Sequence, residues 1–220
     1  MIKGWSEEMK SLEQFWNESY QRPDLKPTFD NWLDKYWQVH LSTTSNADLI
    51  VDLGCGVGNN AKYLVEHGRL PIACDISEVA IRKLKSFLPD VQTLCLDMTE
   101  GLPFPNHSVQ VLIADLSIHY FDEATTRVVI QDLLHVLKED GILLCRLNSI
   151  NEIENKGNVT QTSEKYLLES EGIYRRFFDR EEIERLFDKE KWTYLHIEEY
   201  EMDRYTNKKM LWEIALKPRG

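Results

Sequence analysis

The stretch VDLGCGVGNN, residues 51–60, sets three glycines in five positions directly behind an apolar run. Glycine gives up more conformational freedom on folding than any other residue, so three together need a reason: a tight turn, or something pressed against bare main chain. The spacing Gly54-x-Gly56-x-Gly58 departs from the dinucleotide fingerprint G-x-G-x-x-G, because Asn59 stands where its third glycine would fall. No Lys-Ser or Lys-Thr pair follows, which disfavours a phosphate-binding P-loop. The stretch therefore reads as a tight turn, open to close approach, between a buried strand and a helix.

Outward from this turn, strand and helix signals alternate from residue 48 to residue 148. ADLIVDL leads in as a strand, and NNAKYLVEHG follows as a helix with Ala61, Leu64 and Val65 on one face and Gly68 as its stop. LPIACD is a strand, and SEVAIRKLKSFLP a helix capped by Ser77 with Ile81, Leu84 and Leu88 at helical spacing. VQTLCLD and VQVLIADL are strands. EATTRVVIQDLLHVLKEDG is a helix with Ile130, Leu133, Leu134 and Leu137 in one stripe and Gly141 past its end, before the strand GILLCRLN. Apolar strands alternating with amphipathic helices give a parallel sheet covered on both faces, with ligands bound beyond the carboxyl ends of the strands. Asp75, Asp97 and Asp115 fall at three such ends. An aspartate at the position of Asp75 can accept both hydroxyls of a ribose.

Two flanks complete a single domain over 1–220: a helical cap over 1–45, the cofactor-binding core over 48–148, and a substrate-side insert with a C-terminal strand pair over 149–220. Phe29, Trp32, Leu33, Tyr36 and Trp37 follow one helical face, and Met9, Leu12, Phe15 and Trp16 mark an earlier helix; these aromatics read mostly as packing. WTYLHIEEY and MLWEIALK read as strands joined near Thr206-Asn207, with Met210, Trp212, Ile214 and Leu216 alternating as in a half-buried strand. Between core and pair, Asp179 and Glu182 suggest a capping box for a helix carrying Ile183, Leu186 and Phe187, and the chain before it is polar and irregular.

The formal charge of −11 would repel a phosphate backbone unless cations were gathered on one face, and the longest basic runs are the pairs Arg175-Arg176 and Lys208-Lys209. Nucleic acid is thereby disfavoured. The start MIKGWSEEMK lacks the apolar core of a signal peptide, and no run approaches the roughly 18 apolar residues of a membrane span. The four cysteines, Cys55, Cys74, Cys95 and Cys145, lack a metal-site spacing, and three lie in strand-like segments. No metal and a reducing cytoplasm are the expectations.

Taken in order, VDLGCGVG, ACDIS, LDMTEGLPFPNHSVQVLIADLSIHYF and LLHVLKEDGILLCRLN resemble the motifs of class I S-adenosylmethionine-dependent methyltransferases, and LPFPNHSVQVLIAD is most similar to their small-molecule, type 11/12-like branch. The resemblance implies an α/β, Rossmann-like doubly wound seven-stranded sheet with one antiparallel strand and helices on both faces. It implies S-adenosyl-L-methionine as cofactor and S-adenosyl-L-homocysteine as product. Carried over by position, Gly54, Cys55 and Gly56, with Asp52 in the same motif, would face the cofactor's amino-acid part. Asp75 would bind the ribose and Ile76 the adenine face, Asp97 and Met98 would read the adenine edge, and Asp115 and Leu116 would face the methionine portion. Tyr20 resembles a tyrosine that closes over the cofactor.

Methyl transfer is an in-line displacement from a good leaving group, so the protein mainly supplies proximity, and a base only where the nucleophile arrives protonated. His119 is the candidate base, and Tyr120 lies where the family's acceptor approaches. No N-P-P-Y type motif follows the fourth strand, which argues against the DNA-amino and protein-glutamine branches. Arg146, Arg175, Arg176 and Arg204 could hold a carboxylate-bearing acceptor or pair with nearby glutamates. The leading reading is methylation of a small-molecule acceptor by a monomer or homodimer. RNA or protein methylation, and a catalytically silent cofactor-binding partner protein, stand as alternatives.

Overall fold

The computed structural model describes residues 10–28, 31–155, 160–202 and 209–220. The described residues form ten strands: β1 (Leu49–Leu53), β2 (Ile72–Asp75), β3 (Gln92–Cys95), β4 (Val109–Asp115), β5 (Leu137–Asn148), β6 (Thr160–Gln161), β7 (Leu167–Ser170), β8 (Ile173–Arg176), β9 (Trp192–Met202) and β10 (Lys209–Pro218). Seven form one sheet in the order β3-β2-β1-β4-β5-β10-β9, and β6, β7 and β8 form a second, small one. β1 to β5 are mutually parallel, while β10 runs antiparallel to both β5 and β9. The expected seven-stranded sheet with one antiparallel strand is present.

Alternation along the central strands builds a core on each face. Val51, Leu112, Leu143 and Cys145 face α5 (Glu123–Val136) and α6 (Arg180–Leu186), whose Leu133, Ile183 and Leu186 complete that layer. Ile50, Val111, Ile113 and Leu144 point the other way, onto Trp32, Leu33, Tyr36, Tyr63 and Leu64. Both faces are therefore dry, which is why these strands read as continuous apolar runs. α3 (Asn59–Glu66) and α4 (Glu78–Phe87) contribute Ala61 and Leu84 to a third cluster with Cys55, Ala73 and Val91. The Ser77 cap is as expected, its hydroxyl accepting from Ala80 N at 3.1 Å.

Several local readings change. Residues 31–41 are no regular helix but a 3-10 turn (Asn31–Leu33), one α turn, α2 (Asp34–Tyr36), and a π turn (Trp37–Leu41). Their aromatics still pack as expected, Trp32 and Tyr36 lying under the sheet. Gly141 does not end α5; it lies inside β5, where an added Cβ would come 2.9 Å from Val109 O. β10 is not half-buried, because β5 and β9 flank it and both of its faces are covered from Leu211 to Leu216. Cys95, expected to pack as a small hydrophobe, is exposed on the edge strand β3. The capping box at α6 is half present: Asp179 Oδ1 accepts from Glu182 N at 2.8 Å, but the Glu182 side chain turns away to Arg176 and Arg185. The irregular stretch before α6 holds β6 to β8. Met9, Phe29 and the turn at Thr206-Asn207 lie outside the described residues.

A strand-end cavity as the candidate active site

A cavity of about 980 Å³ opens beyond the carboxyl ends of β1, β2 and β4. It sits where the strand order reverses between β1 and β4, the place where an open α/β sheet offers a crevice. The glycine turn forms one wall. Gly54 N and Cys55 N both donate to Cys74 O at 2.8 Å, which pins the turn onto β2. Gly54 and Gly56 have φ of +75° and +53°, a left-handed backbone that glycine adopts without strain. A Cβ on Gly54 would lie 2.2 Å from Ser117 Cβ, and one on Gly56 would lie 2.8 Å from the Tyr20 hydroxyl. The bare main chain thus admits two side chains of the protein itself, one following β4 and one from the C-terminal end of α1 (Leu12–Ser19).

The carboxylates after the strands are held in different ways. Asp75 Oδ2 accepts from Gly56 N and Oδ1 from Ser77 N, each at 2.8 Å, and burial pushes its pKa up to about 6. Each oxygen keeps a lone pair for a further donor. Asp97 caps the turn Met98–Glu100, its Oδ1 accepting from Thr99 N at 2.9 Å and Thr99 Oγ1 at 2.7 Å. Asp115 is gripped by Arg146 through two parallel bonds of 2.7 and 2.8 Å, and that guanidinium lies 4.5 Å over the Trp32 ring. Asn60 Nδ2 donates to Asp52 Oδ1 at 3.3 Å and to Asp115 Oδ2 at 3.5 Å, while Asn60 Oδ1 accepts from Trp32 Nε1 at 3.0 Å. Asp52 is wholly buried, and burial, reinforced by the Asp115 and Asp75 charges, raises its pKa to about 7. Leu116 follows β4 with φ +56°, an unusual conformation for a bulky residue. Beside it Ser117 is 8 % exposed, and its hydroxyl has no hydrogen-bond partner among the described residues.

Tyr20, Gly54, Cys55, Gly56, Asp75, Ile76, Asp97, Met98, Asp115, Leu116 and Tyr120 all line the cavity. Asp52, His119, Arg146 and Arg176 do not, and Arg204 lies outside the described residues. His119 is fully buried, its ring 4.5 Å from that of Tyr120 and its carbonyl accepting from Arg176 N at 2.7 Å, so its imidazole faces the protein interior. Arg146 is taken by Asp115. Arg176 is 1 % exposed and donates to Phe121 O at 3.2 Å, to Glu182 at 2.9 Å and to Glu164. Neither arginine presents its charge to the cavity, and both serve as buried counter-ions.

Sequence reading placed Tyr20 and Tyr120 at the site but missed the rest of the opposite wall. Leu12, Trp16 and Tyr20 repeat at i, i+4, i+8 along α1 and line the cavity, a helix that buries no side chain in the core. Its start was legible as a capping box, with Ser11 Oγ accepting from Gln14 N at 3.1 Å and Gln14 Oε1 from Ser11 N at 3.3 Å. Trp16 stacks on Tyr20 at 5.4 Å and meets Tyr120 edge-on at 5.3 Å, so three aromatics form one continuous surface. Arg175 and Glu171 reach the cavity from the small sheet, and Lys26, Glu152 and Lys209 line it as well. Among the described residues no helix is long and apolar enough to cross a membrane, and no group of three or more His, Cys, Asp or Glu could hold a metal ion.

Residues 50–141 match the methyltransferase domain family. The tRNA N(3)-cytidine methyltransferase METTL2 of Xenopus tropicalis is 26 % identical over 157 residues, 63 % of this chain and 45 % of its own length. The chain spans about half or less of the length of the first curated relatives it matches. Among solved structures, the PH0226 protein of Pyrococcus horikoshii OT3 superposes with a TM-score of 0.68 at 19 % identity, covering 85 % of this chain and 89 % of that one. The 1,6-didemethyltoxoflavin-N1-methyltransferase of Burkholderia thailandensis, solved with bound 1,6-didemethyltoxoflavin and S-adenosylhomocysteine, superposes with a TM-score of 0.63 at 13 % identity over 94 % of this chain and 82 % of that one. At these identities the structures speak to the fold. Over residues 50–141 the chain matches the methyltransferase domain family, and its fold is the one it shares with these solved structures, a methyltransferase among them.

Proposed function

We propose that the chain transfers the methyl group of S-adenosylmethionine to a small-molecule acceptor inside the strand-end cavity. The observation that carries this reading is the cavity itself: at about 980 Å³ it is at the upper end of small-molecule sites, and it has two unlike walls. One wall has hydrogen-bonding groups fitted to the cofactor. The lone pairs left on Asp75 suit the two ribose hydroxyls, Ile76 offers an apolar face for adenine, and Asp97 and Met98 lie at its edge. Gly54, Cys55 and Gly56 leave bare backbone for the amino-acid portion, beside Tyr20, Leu116 and an Asp115 oriented by Arg146. Asp52 acts behind them, through Asn60.

When bound, the cofactor supplies a methyl carbon already activated by its sulfonium. The chain's own groups then have to align an acceptor and exclude water. Trp16, Tyr20 and Tyr120 roof the cavity and give a flat acceptor a surface to stack on. No proton-transfer role falls to His119, whose ring is shut inside the protein. The reading is accordingly strongest for acceptors whose nucleophilic atom is unprotonated at neutral pH. The net charge of −11 favours a small molecule over RNA, although METTL2 is a tRNA enzyme.

Calorimetric titration with S-adenosylhomocysteine, alongside NADH and an Asp75→Ala variant, tests the cofactor half. Binding of the first alone, weakened in the variant, supports the reading, and absence of S-adenosylhomocysteine binding overturns it. Turnover of radiolabelled cofactor on a small-acceptor panel against bulk tRNA tests the rest; label on tRNA alone transfers the assignment to RNA.

A further inference from the structure

We propose that Arg175 recognises a carboxylate on the acceptor, and that Glu171 occupies the same guanidinium until the acceptor arrives. This rests on the methyltransferase reading above and names the substrate class of that site. Arg175 and Arg176 are consecutive in β8, and successive strand residues point to opposite faces. Arg176 points inward, where Phe121 O, Glu182 and Glu164 take its donors. Arg175 lines the cavity with its side chain 13 % exposed. Its Nη2 donates to Glu171 at 2.6 Å, and the Phe15 ring lies 5.8 Å from its Cζ. Its Nε and Nη1 donate to nothing among the described residues. A guanidinium carries five N–H donors in a planar fork matched to a carboxylate, so a nearly buried one with a single partner is under-used.

The partner is itself out of place. Ser170 pairs with Ile173, so Glu171 and Gly172 form a two-residue hairpin loop, with φ of +58° and +77°. Such loops favour Asn-Gly, Asp-Gly or Gly-Gly, since both central residues are left-handed. A glutamate in the first position is conformationally poor, and here it is the residue whose carboxylate meets Arg175 at the cavity wall. Its side chain is 68 % exposed, so solvent screens the ion pair and an arriving carboxylate can exchange for it at small cost. Ser117 gives a second, independent pointer: a cavity-lining hydroxyl, 8 % exposed, without a hydrogen-bond partner among the described residues. An acceptor with one polar end near Ser117 and a carboxylate at Arg175 would satisfy both. The aromatic surface of Trp16 and Tyr120 suits a planar body between them.

The test loads the protein with S-adenosylhomocysteine and titrates matched carboxylates and primary amides by calorimetry, from acetate and acetamide to benzoate and benzamide, with phenyl phosphate as the phosphate arm. The expected result is a carboxylate preference of roughly tenfold or more in at least one pair, as a charged hydrogen bond provides. Arg175→Gln should abolish that preference, and Glu171→Gln should tighten the carboxylate, but not the amide, by roughly threefold. No preference in any pair, a preference that survives Arg175→Gln, or tighter binding of phenyl phosphate than of benzoate overturns the inference. Should Arg175→Gln fail to fold, the gain in Glu171→Gln decides alone. The cofactor titration separates the two readings: without S-adenosylhomocysteine binding the methyltransferase reading fails, whereas with it, and no carboxylate preference, only the acceptor assignment fails.

Discussion

The two walls of the cavity reach the same space by different construction. The cofactor wall grows from sheet register: Gly54, Asp75 and Asp115 stand at or just past the ends of β1, β2 and β4, so each is placed by a strand buried on both faces. The acceptor wall is assembled from outside the sheet, by a helix with no core-buried residue and by a hairpin tied to the core through Arg176. The first wall is as rigid as the fold. The second rests on a handful of polar ties, and its specificity can change without disturbing the core.

Arg176 against Arg175 is the sharpest way to break this comparison. Arg176→Ala leaves the fully buried Glu182 held by Arg185 alone, and the expected loss is about 3 kcal/mol of unfolding free energy in urea, the lower end for a broken buried pair. Arg175→Ala, one residue earlier, should change stability by less than about 1 kcal/mol, since its ion pair is solvent-screened. Equal losses from the two would mean that the hairpin is structural throughout.

Asp75→Ala tests the rigid wall. Removing an acceptor of two hydroxyl donors should weaken S-adenosylhomocysteine by roughly a hundredfold, about 3 kcal/mol, read by calorimetry. An unchanged affinity would detach the nucleoside from β2 altogether.

What could be read beforehand follows the same division. The glycine turn, Asp75, Asp97 and Asp115 were legible because position along a strand fixes position in a sheet, and apolar runs with helical stripes mark the strands. The roles of Arg146, Arg176 and His119 were not fixed beforehand, because the direction of a side chain depends on which face packs inward, and spacing does not declare that. Arg146 read as a partner for an acceptor carboxylate or a nearby glutamate, yet it faces Asp115 and Trp32. Trp16 looked like packing by its helical spacing, yet it lines the cavity, in a helix none of whose own residues is buried. The strands β6 to β8 lack any apolar alternation long enough to betray them; Thr160–Gln161 is two residues.

Acid separates holding the cofactor from holding the fold. Burial raises the pKa of Asp75 to about 6, above its ordinary 3.8, so the folded chain favours its protonated form. The stability this contributes is fully present below about pH 4 and is lost as pH rises through about 6. Hydroxyl donors favour the carboxylate instead, so cofactor affinity should fall as pH drops through about 6. Between pH 7.5 and pH 5 we expect S-adenosylhomocysteine to weaken by roughly tenfold, while wild type gains stability relative to Asp75→Asn over the same interval. Asp48 and Glu123, whose pKa values their cation partners lower to about 2, lose their contribution only in stronger acid. Two responses of the same sign would assign the pH dependence to another group.

The smallest effect bears most directly on the outer wall. If Glu171 is kept at a left-handed position for its carboxylate, then relieving that conformation should stabilise the fold while freeing the Arg175 guanidinium. Glu171→Asn substitutes a residue that tolerates φ near +58° and fits the first position of a two-residue hairpin. It should raise unfolding free energy by about 0.5 kcal/mol in a urea melt, since a strained hairpin position is relieved and the Arg175 ion pair that is lost is solvent-screened. Loss of stability instead would show that the Arg175 pair holds the hairpin together, and the outer wall would then be built like the inner one, from contacts the fold requires.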